Sequence, residues 1–154
     1  MKSYEIVPHV GVGPVRLGMS REDVRRVMPA PCESFLKTPD DAYETDAFHD
    51  SGFQVFYSGD SPAVAFIELS RDSGFTATYR GLDVFATQAD QLVAHVALDG
   101  PFDRNNPELG YSFVFPHLDL SVWRPIVPES PEDAEGHEFA TIGVGVPGYF
   151  SERA

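Results

Sequence analysis

Gly13-Pro14-Val15-Arg16-Leu17-Gly18-Met19-Ser20-Arg21-Glu22-Asp23-Val24 is the stretch that decides the reading of this chain, because a more worn version follows at Gly81-Leu82-Asp83-Val84-Phe85-Ala86-Thr87-Gln88-Ala89-Asp90-Gln91-Leu92. Each copy runs from a few extended residues to a hydroxyl, a carboxylate three positions on, and then an amphipathic pattern. Ser20 and Thr87 are placed to cap a helix by accepting an orphan backbone N–H, near Asp23 and Asp90 respectively. Glu22 and Asp23 favour the positive end of the helix dipole, Arg25 and Arg26 favour its far end, and Pro29 stops the helix. The second helix, capped by Thr87, is expected to run to about Ala97, with Leu92, Val93 and Val96 as its stripe.

Strand-like stretches follow each helix. Phe53–Ser58 and Ala63–Leu69 flank Gly59-Asp60-Ser61-Pro62 and read as a hairpin, followed by a strand at Phe75–Tyr79. Tyr4–Val7 reads as an edge strand and Glu33–Lys37 as a short one, with Thr38 to Asp50 an acidic, turn-rich loop. After the second helix, Tyr111–Phe115, Leu118–Trp123 and Phe139–Val146 read as strands, and Gly143 to Gly148 as a bulged edge strand with its turn. The pattern predicts an α+β fold: tandem helix-then-antiparallel-sheet units, residues 1–80 and 81–154, forming one curved sheet with two short helices on one face. Alternation then sorts the side chains. Phe53, Val55, Tyr57, Ala65, Ile67, Leu69, Leu118, Leu120 and Val122 are expected to pack on the helices. Val64, Phe56, Phe66, Glu68, Asp119 and Trp123 are expected to face outward.

The formal charge of −13 over 154 residues is the strongest compositional signal. It argues against gripping nucleic acid through phosphates and against anionic membrane surfaces, and it permits steering toward a cationic partner. The charge is uneven: residues 1–80 carry 8 Lys/Arg against 12 Asp/Glu, and residues 81–154 carry 3 against 12. Within the second part, Glu129, Glu132, Asp133, Glu135 and Glu138 form a loop with no cation of its own. No apolar run is long enough to span a membrane, and the N-terminus lacks the apolar core of a secretory signal, so a cytoplasmic chain is expected.

Chemistry-bearing motifs are sparse. Gly13-x-x-x-x-Gly18-Met19-Ser20 falls one residue short of a phosphate-binding loop, with Met19 in place of the lysine, and reads as a structural turn. Cys32 has no local base and is expected to be a buried or incidental thiol. Asp40, Asp41, Glu44, Asp46, His49 and Asp50 are the densest set of oxygen and nitrogen ligands, but they lack the spacing of a calcium loop and read as a solvated segment. No Gly-x-Ser-x-Gly elbow and no His-x-x-x-His pair occurs. No cofactor, metal or catalytic residue is assigned.

The segment Leu17-Gly18-Met19-Ser20-Arg21-Glu22-Asp23-Val24 resembles the Gly-Met-Thr/Ser-x-x-x-Val helix start of β-lactamase-inhibitory-protein-like chains and of the small outer-membrane-assembly lipoproteins. The resemblance implies tandem helix-plus-sheet units and a non-enzymatic sheet that grips another protein. The chain lacks the paired cysteines and the export signal of the secreted inhibitor, so a β-lactamase is not the implied target.

These readings converge on a protein-binding module, in one version an acidic immunity or inhibitor protein for a cationic enzyme. Phe56, Phe66, Glu68, Asp119 and Trp123 would supply its contact face, rimmed by the Glu129–Glu138 loop. A small-molecule binder or minor enzyme with a pocket between helix and sheet is the alternative, and a homodimer through Trp123 and Phe56 a third.

Overall fold

The computed structural model describes residues 1–151. Its elements in chain order are β1 (Lys2–Val7), β2 (Gly11–Val12), β3 (Val15–Arg16), α1 (Arg21–Val27), β4 (Glu33–Phe35), β5 (Thr45–Phe48), β6 (Phe53–Ser58), β7 (Ala63–Ser70), β8 (Phe75–Tyr79), β9 (Leu82–Asp83), α2 (Ala89–Ala97), β10 (Ser112–Phe115), β11 (Leu120–Trp123) and β12 (Thr141–Gly145). The protein is α+β, as the sequence pattern predicts. Its strands form two sheets instead of one curved sheet, of order β3-β2-β1-β8-β9 and β10-β11-β12-β7-β6-β5-β4.

Element order is similar in the two parts of the chain: short strands, a helix, then an antiparallel meander. The meanders β4–β7 and β10–β12 meet along their last strands, where Ile142 pairs with Leu69 and Gly145 with Phe66. In the smaller sheet β1 pairs with β8 in parallel, Tyr4 opposite Ala77. That pairing makes β1 an interior strand instead of the expected edge. Likewise β12 lies between β11 and β7, so Gly143–Gly145 is central, not an edge.

Alternation places the inward side chains well. Phe53, Val55, Ile67, Leu69, Leu120, Val122, Ile142 and Val144 join one buried cluster with Val24 of α1, Leu92 and Val96 of α2, and Tyr4, Ile6 and Phe75 of the smaller sheet. Tyr4 and Phe75 meet Phe53 edge-on, with centroids 5.2 and 6.1 Å away, so aromatic contacts join the two sheets. Both helices and the smaller sheet therefore share their core with one face of the larger sheet. Val64 and Ala65 are exceptions to the expected pattern: Val64 lies in the core, and Ala65, expected inward, lines the hollow beside Phe66 on the other face. The register shifts beside Phe56 and Tyr57, leaving Ala65 unpaired between Phe66 and Val64. That extra residue reverses the alternation and turns Val64 into the core.

The first helix starts as its sequence dictates: Ser20 Oγ accepts the Asp23 N–H at 3.2 Å. The residues before it are stitched to β7, with Gly18 N–H donating to Val64 O at 2.8 Å and Val64 N–H to Met19 O at 2.9 Å. The near-phosphate loop is thus a turn whose Gly18 N–H is already committed. The second helix differs from expectation. Its N-cap is Gln88, without a side-chain cap bond, and Thr87 Oγ1 instead donates to Asp83 O at 2.7 Å. Asp83 Oδ1 accepts the N–H groups of Phe85 and Ala86, so an Asp-centred turn, not a hydroxyl cap, leads into α2. Asp90 lies in the first turn and accepts the Gln91 N–H.

Candidate functional site

The larger sheet's other face carries Phe56, Phe66, Glu68, Ser121 and Trp123, and there the predicted contact residues separate. Strand register puts Gly145, Phe66 and Phe56 in one row across β12, β7 and β6. Trp123 lies in another row, with Thr141. Thr141 and Gly145 are four residues apart on β12, so the rows are about 13 Å apart along the strand direction. Trp123 is 42% exposed and forms no single patch with Phe56.

What gathers around Phe66 is a different aromatic set. Phe66 is only 8% exposed yet lies outside the core cluster. It stacks on Tyr149 with centroids 4.6 Å apart and planes 12° from parallel, meets Phe150 edge-on at 6.1 Å and Phe56 at 5.7 Å. The outward reading of Phe66 is right about the face and wrong about exposure, because the segment after β12 folds back over it. Space for this ring comes from Gly143: a Cβ there would sit 2.3 Å from Phe66 Cζ.

Asp119 explains how that segment is held. It was expected to face a partner from β11, but it precedes the strand, has φ of 49° and is 3% exposed. An aspartate tolerates this left-handed conformation better than most residues. Its carboxylate accepts the N–H groups of Gly148 at 3.1 Å and Phe150 at 3.3 Å, and His9 Nε2 lies 3.0 Å away. Asp119 thereby fixes the turn that lays Tyr149 on Phe66. It builds the face from behind, with its carboxylate committed to bonds within the chain.

Phe56, Phe66 and Tyr149 line a cleft of about 510 Å³ together with Lys37, Thr38, Asp41, Tyr43, Thr45 and Ser58. Lys37 Nζ lies 4.7 Å from the Phe56 ring centroid, a cation–π contact. Tyr43 donates its O–H to Gly59 O at 2.8 Å, tying the 38–44 segment to the β6–β7 turn. Thr38 donates both its N–H and its hydroxyl to Asp41, which shapes the rim. Lys37, Tyr43, Tyr149 and Phe150 were missed from sequence. The one available signal was the aromatic pair Tyr149-Phe150 after the last strand.

The Asp40–Asp50 segment is not uniformly solvated. Its second half is β5, every residue of which is buried. Asp46 faces α1, where Arg25 donates to both its oxygens at 2.8 and 3.0 Å and Ser34 and Tyr57 add hydroxyl donors at 2.8 Å. Burial works to raise this carboxyl, but the donors outweigh it and hold it below the usual carboxylate range. Burial and the same carboxylate push the Tyr57 phenol up. Among the described residues no group of three or more His, Cys, Asp or Glu is placed to hold a metal ion. Cys32 is exposed, not buried. Desolvation of the sulfur and the nearby Asp46 charge push its thiol up, away from a reactive thiolate.

The acidic loop sits beyond β11. Glu129, Glu132, Asp133 and Glu135 are exposed and Glu138 is half-buried. Asp133 accepts the N–H groups of Glu129 and Ser130, which hold its carboxyl below its ordinary value. The loop does meet a cation from outside itself. Arg124 donates to Gly110 O and Gly136 O, both at 2.9 Å. A second hollow of about 420 Å³ lies between Arg124, His137, Asp90 and Glu129, at the start of α2. Among the described residues no helix is long and apolar enough to cross a membrane. Compared with known proteins, the chain matches no family model, no curated protein and no solved structure.

Proposed function

We propose that this chain is a non-enzymatic protein-binding module whose contact surface is the larger sheet's outer face, centred on the Phe56–Phe66–Tyr149 cleft. One observation carries the reading: the helices and the smaller sheet share their core with one face of the larger sheet, while on the opposite face the rings of Phe56, Phe66 and Tyr149 meet beside a hollow they line. Aromatic anchors seated in a concave surface and rimmed by charge are what interfaces use. The net charge of −13 favours a basic partner and fast, steered association, as an immunity or inhibitor protein for a cationic enzyme would need. The likeness of Gly18-Met19-Ser20 to the helix start of families with a partner-gripping sheet adds to it.

A capture experiment from the native host, read by mass spectrometry, tests this. Wild-type protein and a Leu98→Arg variant, altered on α2's far side where Leu98 is 82% exposed, are expected to retain the same protein. A Phe56→Asp variant is expected to lose it. Capture unaffected by Phe56→Asp would reject the outer face as the interface. A second reading, small-molecule binding, draws on the cleft volume of about 510 Å³, which suits a compact ligand. A native mass spectrum of the purified protein carrying a stoichiometric small adduct, lost in Phe56→Asp, would favour it.

A further inference from the structure

We propose that two copies of this chain pair edge to edge through β4, carrying the larger sheet across a two-fold axis. That sheet ends in β10 and β4. The chain itself covers the β10 end: Asp103 N–H donates to Val114 O at 2.8 Å, and the Asn106 side-chain amide to Ser112 O at 3.2 Å. The β4 end is open. Among the described residues, only the Cys32 thiol, 3.7 Å from Glu33 O, reaches the backbone of Glu33–Phe35 from outside the β4–β5 pair. Phe35 takes no part in the core, and Leu36 beside it is 50% exposed. An open strand edge is a template for another strand.

Charge and symmetry name the occupant. Strand register puts Glu33 in one outer-face row with Ala47, Gln54 and Glu68, and Phe35 lies two residues on. Lys37 shares that face, since its Nζ lies 4.7 Å from the Phe56 ring centroid. A two-fold axis normal to the sheet keeps every residue on its own face, so it must pass between a residue and its own copy. Centred on Phe35, it sets Glu33 against the partner's Lys37 and Lys37 against the partner's Glu33. A centre one residue either way sets a charge against Phe35, and two residues either way sets like charges together. Facing opposite charges stabilise a strand pair and like charges destabilise it. The edge is thus complementary to itself in one register. Both outer faces then point the same way, with their Phe56 strands about 24 Å apart. This pairing does not depend on what the cleft binds.

The net charge of −13 on each copy opposes association, so the contact is weak and is tested at about 0.15 M salt. Sedimentation of the full chain under reducing conditions is expected to show a reversible dimer between about 10 μM and 1 mM. Lys37→Glu should weaken it about fivefold or more, and adding Glu33→Lys to that variant should restore it. In a Cys32→Ser background, Phe35→Cys should form a disulfide-linked dimer on mild oxidation, because facing Cα atoms lie about 4.5–5.5 Å apart. Leu98→Cys, on exposed α2, should not. A monomer at every concentration would overturn the proposal. So would a dimer that the double charge exchange fails to restore, or one that cross-links as readily through Leu98→Cys. Capture of another protein through Phe56 would leave this outcome unaltered.

Discussion

Asp46 shows how a residue can mean the opposite of its neighbourhood. It lies in the most acidic stretch of the first half, yet it has no exposed side-chain surface and joins β5 to α1 through Arg25. Removing one member of such a pair leaves a buried charge without its partner. Asp46→Asn should therefore cost about 3 kcal/mol, read by urea denaturation. The acid response follows in sign. Because the folded carboxyl sits below its ordinary value, the unfolded chain takes up the proton first. Its stabilisation is complete above about pH 4 and is lost as pH falls through the folded value. His49 behaves alike at higher pH. Burial holds its imidazole below the ordinary value beside the Tyr4 hydroxyl at 2.7 Å. Its contribution is present above about 6.5 and lost as pH falls through its lower folded value. Stability should thus decline in two acid steps, and His49→Gln should remove the upper one. A single step unchanged by His49→Gln would contradict this assignment. Asp119 makes a separate prediction. Asp119→Ala leaves the Gly148 and Phe150 N–H groups without their acceptor, so it should cost about 1–3 kcal/mol. It should also abolish the Phe66–Tyr149 ring contact in NMR, and a retained contact would show that the turn holds itself.

At the scale of elements, the two helix starts separate what was legible from what was not. Ser20-x-x-Asp23 predicts a capped helix, and the bond is there. Thr87-x-x-Asp90 has the same spelling, but Asp83 takes over the turn and leaves Thr87 bonded backward to a carbonyl. Ser20→Ala should lose about 1 kcal/mol in thermal or chemical unfolding, with helicity reduced. Thr87→Val should cost less, and equal losses would show that α2 is capped in solution after all. Strand alternation was readable wherever two strands pair without interruption, as for Leu120 and Val122. It failed at Val64 because a bulge adds a residue that spacing alone does not announce. The burial of β5 was hidden because its acidic residue looks solvent-seeking until Arg25, distant in sequence, is brought to it. The aromatic cleft was half legible. Phe56 and Phe66 follow from alternation, whereas Tyr149 arrives through Asp119, a contact spanning 29 residues to Gly148.

At the scale of the whole molecule, long-range pairing sets what local patterns cannot. β1 meets β8 in parallel with β9 beyond it, and β7 meets β12, so both sheets include strands from before and after residue 80. This arrangement assigns the two faces of the larger sheet different tasks, one given to the core and the other left to the aromatic cleft. The acidic loop beyond Trp123 belongs to the molecule's field more than to that cleft. Reversing Glu129, Glu132 and Glu135 to lysine spares Asp133, which organises the turn. It should slow association with a basic partner about tenfold at low salt and flatten the salt dependence, as read by stopped-flow. An unchanged rate would remove steering from the account without touching the interface. The most direct measurement is the NMR footprint of the captured partner on the labelled chain. The account predicts shifts centred on Phe56, Phe66, Tyr149 and Glu68, with α1 and α2 silent. A footprint on the helices, or one confined to Trp123 and its edge, would contradict it.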